Sequence, residues 1–346
     1  MSGVVLTGSS GALGRRVAAG FAASPSFTTV TGLDVVVPGG HDAGIVERRV
    51  DLLVDDLVEH LAEAETLVHL ASAFGSVVGA DGEGLDVALT RRVLDAAAAS
   101  GISRIVLVGS AMVYGAWPDN PIPLTEDAPV RPNPGFGFAQ AKARVEELAE
   151  QFRTENPEAH VAVLRPTTTL AEDASSWVSA ALLSAAGVRA GEVDPPVQFL
   201  HFDDLASAVV LVAERGCDGV YNVAPDGWIP PDDMKALAGI PRPRVSVRLA
   251  DRLVAARWLL GLSTTPPQVL PWIIHPWVVA NDRLRGLGWE PSHTSEEAYV
   301  AGTAPGPLDT LSPKRRQELA IGAAVAAAVA SGAVAVAIAR RLGRRR

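Results

Sequence analysis

The sequence predicts an α/β fold built on a parallel sheet, and three observations point there. Apolar runs of strand length alternate with helix-length stretches through the first half of the chain. A glycine-rich turn joins the first run to the first helical stretch. The chain of 346 residues is 48% hydrophobic and 20% charged, a globular balance with enough length for one large domain or two modest ones.

Residues 4–7 form the first apolar run, which ends in the glycines at 8, 11 and 14; Leu13, Val17 and Phe21 then recur at helical spacing. No charged segment precedes the run, so it reads as a strand and not as a signal peptide. Further strands are expected at 29–34, 66–70, 105–109 and 161–165, with helices at 55–62, 86–100 and 138–153. In the last of these, Ala141, Val145, Leu148 and Phe152 mark the buried stripe. Strands alternating with helices argue for parallel pairing through crossovers. Between 117 and 135 stand Pro118, Pro121, Pro123, Pro129, Pro132 and Pro134, a density that forbids a long helix or central strand and reads as an ordered loop over a sheet edge. Beyond residue 166 the alternation weakens, as expected of a smaller lobe that holds a substrate.

Composition excludes several functions. One cysteine, Cys217, rules out an intramolecular disulfide framework, a cysteine zinc site and an iron–sulfur cluster. No His and acid cluster stands at metal-ligand spacing in the sequence, so no metal is expected. The net charge of −9 is uneven: residues 314–346 carry eight basic side chains against Glu318, a net +7 that leaves −16 for the rest. An acidic body argues against nucleic-acid binding. Lysines number three, Lys142, Lys235 and Lys314, against 27 arginines, so a lysine at a meaningful position carries extra weight.

The glycine spacing has a mechanical purpose. Gly8 allows a tight turn, Gly11 lets backbone approach a pyrophosphate, and Gly14 permits close helix–strand packing. The phosphates then face a helix N-terminus, whose free N–H groups and dipole favour anions. Asp34 follows Gly14 by 20 residues at the end of the second strand. An acid there accepts hydrogen bonds from ribose hydroxyls and repels a 2′-phosphate, which favours NAD over NADP.

With these residues placed, the chain resembles the extended short-chain dehydrogenase/reductases, in their NAD-dependent epimerase/dehydratase branch. The matching pieces are 7–14 (TGSSGALG), Asp34, Asp51 with Leu52, 67–71 (LVHLA), 108–115 (VGSAMVYG), 164–166 (LRP), 199–206 (FLHFDDLA), 221–223 (YNV) and 287–291 (LGWEP). The resemblance spans roughly residues 3–300. It implies a Rossmann-like, doubly wound parallel sheet with a small C-terminal substrate lobe, and often a homodimer. The expected division is 1–168 for the NAD-binding part, 169–313 mainly for the substrate lobe, and 314–346 for the tail. It further implies that Gly8, Gly11 and Gly14 hold the pyrophosphate, Asp34 the adenosine ribose, and that Asp51 and Leu52 flank the adenine. Ser110 falls at the catalytic Ser/Thr position, and Lys142 where the family's lysine contacts the nicotinamide ribose.

One departure bears on mechanism. The family's pair is Y-x-x-x-K, four residues apart and so on one helix face; the lysine lowers the tyrosine pKa so that a phenolate takes a proton during hydride transfer. Here the segment reads Phe138-Ala139-Gln140-Ala141-Lys142, and a phenyl ring has no proton to exchange. Tyr114, Ser110, a water, Glu126 and Asp127 are the candidate substitutes. A second departure is Ala111 and Met112 where sugar 4,6-dehydratases of the family carry Asp and Glu, which disfavours that elimination. His69 and His201 sit in strand-like segments and read as core or supporting residues. No G-x-S-x-G elbow is present, so acyl hydrolysis has no support.

Residues 320–339 are twenty residues without a charge, eleven of them alanine, with basic clusters on both sides. That length matches a hydrocarbon core of about 30 Å, and Gly322, Ala326 and Ala330 form a small-x-x-x-small row. The segment is expected to hold a cytoplasmic body at the membrane, as an anchor or as a surface-bound helix on anionic lipid; a soluble helix packed on a partner is the other reading. Two functions stay open. One is an NAD-dependent oxidoreductase or epimerase acting by hydride transfer on a sugar nucleotide or another secondary alcohol, such as a lipophilic one, with a non-standard proton acceptor. The other is a catalytically inactive NAD-binding sensor or scaffold tethered to the membrane.

Overall fold

The structure, a computed structural model, describes residues 2–37, 44–72, 80–185, 189–238, 244–260 and 265–303. Its centre is a seven-stranded sheet. The strands are β1 (Ser2–Thr7), β2 (Phe27–Asp34), β3 (Ile45–Arg49), β4 (Thr66–His69), β5 (Arg104–Val108), β6 (His160–Pro166) and, after four short lobe strands, β11 (Gly219–Val223). The order across the sheet is β11-β6-β5-β4-β1-β2-β3, and every neighbouring pair is parallel.

Alternation along the strands sends side chains to two cores. From β1, Val4 and Leu6 join Val106, Val17, Phe21, Leu205, Val209 and Val212 beneath α1 (Ala12–Ala23) and α6 (Phe202–Arg215). From the same strand, Val5 joins Leu67, Ile105, Leu107, Val93, Val145 and Phe152 beneath α3 (Ala80–Ala99) and α4 (Gly137–Glu155). The sheet is thus covered on both faces, as an all-parallel sheet requires. The α/β, doubly wound, Rossmann-like expectation is met.

The expected helix at 55–62 is shorter than its pattern, a single turn α2 (Val58–Leu61). Asp51 and Asp56 side chains instead bond the N–H groups of Leu53 and Val58 and fix turns there. The larger difference lies beyond residue 168. Both α6 and β11 belong to the central sheet layers, with β11 in register beside β6 from Gly219↔Ala162 to Val223↔Pro166. The chain therefore leaves the sheet for the lobe and returns to it. Trp289 also joins the α1–α6 core, its indole donating to Ser207 Oγ at 3.0 Å.

The lobe comprises β7 (Thr168–Ala171), β8 (Ala174–Ser175), β9 (Arg189–Ala190), β10 (Phe199–His201) and β12 (Arg244–Val245). Its helices are α5 (Trp177–Ala185), α7 (Pro231–Ala238), α8 (Val247–Leu259), α9 (Pro271–Ile274) and α11 (Ser295–Gly302), whereas α10 (Asp282–Arg285) lies beside β11 with Leu284 in the α1–α6 core. An aromatic cluster sits between lobe and sheet: Phe136 lies 5.9 Å from Trp272, and Trp272 5.2 Å from Trp277, centroid to centroid. The proline-rich loop is ordered by buried amides. Asn133 accepts from Ala116 N, and Asn120 donates to the carbonyls of Gly115 and Pro276. The hydrophobic segment at 320–339 and its basic flanks lie outside the described residues; among those described, no helix is long and apolar enough to cross a membrane.

Candidate active site

The predicted cofactor residues gather at the carboxyl ends of the parallel strands, the ligand-binding edge of such a sheet. Gly8 follows β1 at φ +74, and a Cβ there would meet Ala71 N at 2.7 Å. A Cβ on Gly14 would meet Gly8 O at 2.1 Å and Ser9 at 2.7 Å, so its close contact is with the loop itself and not with a strand. Gly11 differs. A Cβ there would meet only Gly8 O, at 3.3 Å, which leaves that side of the loop open for a close approach. Gly11 is the N-cap of α1 and no side chain caps that end, so the first-turn N–H groups are available to an anion. Asp34, half-buried at the end of β2, accepts from Ser10 N at 3.0 Å and from Val36 N at 3.2 Å. Its carboxylate stands beside the glycine loop with lone pairs to spare for a diol. These features fit a dinucleotide: the turn, the open face at Gly11, the uncapped helix and an acid at the ribose position.

Asp51 and Leu52 are parted by their surroundings. Asp51 is exposed, and Leu52 is buried with Leu33, Val50 and Leu57. His69, at the end of β4, bridges the loop to α3: Nδ1 lies 2.7 Å from Thr7 Oγ1 and Nε2 3.2 Å from Thr90 Oγ1. Burial, with the nearby Lys142 charge, pushes its pKa down to about 4. It is a neutral hydrogen-bonding strut.

Ser110 follows β5 as the N-cap of a short 3₁₀ turn (Ala111–Tyr114), and its Oγ accepts from Met112 N at 3.2 Å. Phe138 and Lys142 stand one turn apart on α4, with Lys142 Nζ 5.8 Å from the Phe138 ring centroid. The phenyl ring packs in the aromatic cluster, 6.2 Å from Phe136. Lys142 is buried and its ammonium pairs with Asp86 Oδ2 at 3.1 Å, the two side chains being 9% and 2% exposed. Asp86 Oδ1 accepts from the exposed Ser72 hydroxyl at 2.6 Å. Asp86, which sequence patterning did not single out, is the principal addition to the site. The signal available was an acid on the buried side of a helix otherwise lined by Leu89, Val93 and Ala97.

Tyr114 is bound elsewhere. Its hydroxyl donates to Asn222 Oδ1 at 2.8 Å and accepts from Arg165 Nη1 at 2.6 Å, while Arg165 also pairs with Glu146. Burial pushes its pKa up to about 12, although the Arg165 charge opposes the shift. It is a phenol at neutral pH, not a phenolate. Glu126 Oε1 accepts from Asn222 N at 2.9 Å, and Asp127 pairs with Arg283 at 3.0 Å.

The fold also assembles a cluster that spacing did not foretell: His201, Asp203 and His293, with donor atoms within 4.8 Å of one another. His201 is the N-cap of α6 and accepts from Asp203 N, while His293 Nδ1 lies 3.1 Å from Asp204. The two rings stack at 3.9 Å and 26°. His201 Nδ1 is thus engaged in capping α6 and His293 Nδ1 in its contact with Asp204.

A doubly wound parallel sheet with a glycine turn after its first strand is an α/β fold of the class whose ligand crevice lies at the carboxyl ends of the strands. The chain matches the NAD dependent epimerase/dehydratase family over residues 4–224 and belongs to it. Among curated proteins it is 24% identical to the uncharacterized protein Rv0501 of Mycobacterium tuberculosis, over 86% of this chain and 82% of that one. It is 30% identical to the uncharacterized protein y4nG of Sinorhizobium fredii, over 39% of this chain and 34% of that one. Among solved structures, MoeE5 in complex with UDP-glucuronic acid and NAD superposes with a TM-score of 0.65 at 20% identity, covering 86% of this chain and 96% of that one. The UDP-glucose 4-epimerase of Thermotoga maritima gives 0.64 at 16%, covering 87% and 97%.

Proposed function

We propose that the chain binds NAD on the Gly8–Gly11–Gly14 turn and Asp34, and acts as an oxidoreductase or epimerase on a secondary alcohol of a small molecule. The observation that carries this reading is the buried Lys142–Asp86 pair beside Phe138. A buried charge pair is costly to keep, and Lys142 stands one turn from Phe138, the position at which the resemblance expects the proton acceptor. The family membership and the nucleotide sugars bound by MoeE5 and the Thermotoga epimerase make a nucleotide sugar the first substrate class to test; a lipophilic alcohol is the second.

NAD, when bound, supplies a hydride acceptor. The chain's residues supply the rest. Ser110 orients the alcohol oxygen. Phe138 cannot take its proton, so the proton leaves through the pair: an ammonium proton of Lys142 moves to Asp86 Oδ2, and the resulting amine accepts the alcohol proton. Rotation of the neutral Asp86 carboxyl group turns its proton to the side of Oδ1, where the Ser72 hydroxyl, turned to accept it and giving up its own proton to solvent, restores the carboxylate. Residues 320–339 hold this cytoplasmic body to the membrane, and a homodimer is the expected assembly.

The test is calorimetric titration with NAD and NADP, followed by a screen of nucleotide sugars and secondary alcohols for reduction of NAD. NAD binding weakened by Asp34→Ala, with turnover lost in Asp86→Asn, is expected. Absence of NAD binding at millimolar concentration overturns the proposal. NAD binding with no turnover on any substrate favours the second reading, a sensor, for which Phe138 packed among aromatics is the supporting observation.

A further inference from the structure

Helix α8 presents an apolar face to solvent. Leu249, Leu253, Ala256 and Leu260 fall at spacings of four, three and four, one stripe along the helix. Leu249 is 46% exposed, Leu253 43% and Leu260 69%; Leu259, at the edge, is 85% exposed. Only Ala250 of this helix is buried, against Ala190 and Leu270, roughly 90° round the helix from the centre of the stripe. The stripe is therefore not the side by which α8 packs.

Charge frames the stripe. At 3.6 residues per turn Arg252 and Arg257 stand roughly 70° to either side of its centre, and Arg248 lies beyond Arg252. All three are exposed, and none is paired with a carboxylate among the described residues. Asp251, the one acid of the helix, stands on the far side. The chain before residue 314 carries a net −16, so a leucine stripe bordered by free arginines is out of character with its surroundings.

We infer that α8 is a second membrane-contact site, lying flat on an anionic phospholipid surface with Leu249, Leu253 and Leu260 among the acyl chains and Arg248, Arg252 and Arg257 at the phosphates. An interfacial helix has this cross-section. Charge selects the occupant. The segment 320–339 is flanked by arginines and lysine at both ends, so laying it along α8 brings like charges together, and pairing α8 with its counterpart in a second copy does the same. Anionic lipid neutralises both borders. The site is independent of the catalytic proposal, since α8 carries none of the residues placed in it.

The experiment uses the full chain and phosphatidylcholine vesicles with and without phosphatidylglycerol. Arg248→Gln, Arg252→Gln and Arg257→Gln together are expected to weaken binding to the anionic vesicles roughly a hundredfold, from about 1 kcal/mol per basic residue near such a surface. A fluorophore reports the contact directly: with Cys217→Ser as background, labels are placed at Leu253→Cys or Asp251→Cys. The label at 253 is expected to shift to the blue on anionic vesicles, and the label at 251 to stay unmoved. Vesicle binding with both labels silent assigns membrane contact to the tail alone and overturns the inference. A 253 label already blue without vesicles means that the chain's own segment covers the stripe; a shift that follows protein concentration means a second copy. Both results overturn it, as does failure to bind anionic vesicles.

Discussion

Lys142 and Asp86 make the sharpest test of the site because they are both buried and only 3.1 Å apart. At an effective dielectric of about 20 that separation corresponds to roughly 5 kcal/mol of attraction, much of it spent on desolvating the two groups. The net worth of the intact pair is therefore small, but leaving one charge alone costs about 3–5 kcal/mol. Asp86→Asn keeps an oxygen for Ser72 and removes only the charge facing Lys142; Lys142→Met keeps the stem and removes the ammonium. Each single change is expected to destabilise the protein by about 3 kcal/mol or more. The double change is expected to recover most of that loss, since it strands no charge. Urea unfolding of the four proteins closes a double-mutant cycle, and a coupling of about 2 kcal/mol or more is the expected result. Additivity within about 0.5 kcal/mol would falsify the buried pair and with it the proposed proton route.

Four further outcomes follow from the geometry. Gly14→Ala drives a Cβ to 2.1 Å from Gly8 O, so the turn must shift, and NAD affinity measured by calorimetry is expected to fall at least about tenfold. Asp34→Ala removes a charged acceptor worth about 1.5–3 kcal/mol; NAD should bind about ten- to a hundredfold more weakly, and a smaller loss for NAD than for NADP would contradict the ribose assignment. His69 has a folded pKa of about 4 against 6.5 unfolded, so the unfolded state binds the extra proton as pH falls from 6.5 towards 4. Stability should therefore drop by up to about 3 kcal/mol across that window, and His69→Gln should flatten that part of the urea-derived curve. Tyr114→Phe leaves Asn222 and Arg165 each short of a partner at a cost of about 1–3 kcal/mol; the pH profile of turnover should not move, and a lost basic limb would restore Tyr114 as the proton acceptor.

Much of the fold was legible because it rests on local patterns. The glycine turn, the acid 20 residues later and the Phe138–Lys142 spacing are short-range signals, and strand alternation marked β1, β2, β4, β5 and β6. Asp86 escaped because its partner lies 56 residues away; within its own helix it looks like a polar interruption of an apolar face. Separation in sequence also hid α6 and β11. The apolar stripe of α6 and the short run of β11 are ordinary, and only their contacts with α1 and β6 across the lobe segment assign them to the sheet. In the sequence Trp289 stands out only as part of the 287–291 piece, and it is its neighbours that fix it in the α1–α6 layer.

The return of the chain to β11 governs how this protein can be divided. A fragment ending at residue 168 would lack α6, baring Val17 and Phe21 of α1 and the adjoining side chains of β1 and β5 to water. It would also lack β11, leaving the N–H and C=O groups along one side of β6 without their strand partner, an open template for intermolecular pairing. Such a fragment is predicted to aggregate on expression, however complete its glycine turn. Because lobe elements lie both between β6 and α6 and beyond β11, domain exchange between relatives must move two separate segments, one on each side of the α6–β11 stretch that the recipient keeps, and not join two halves at a linker.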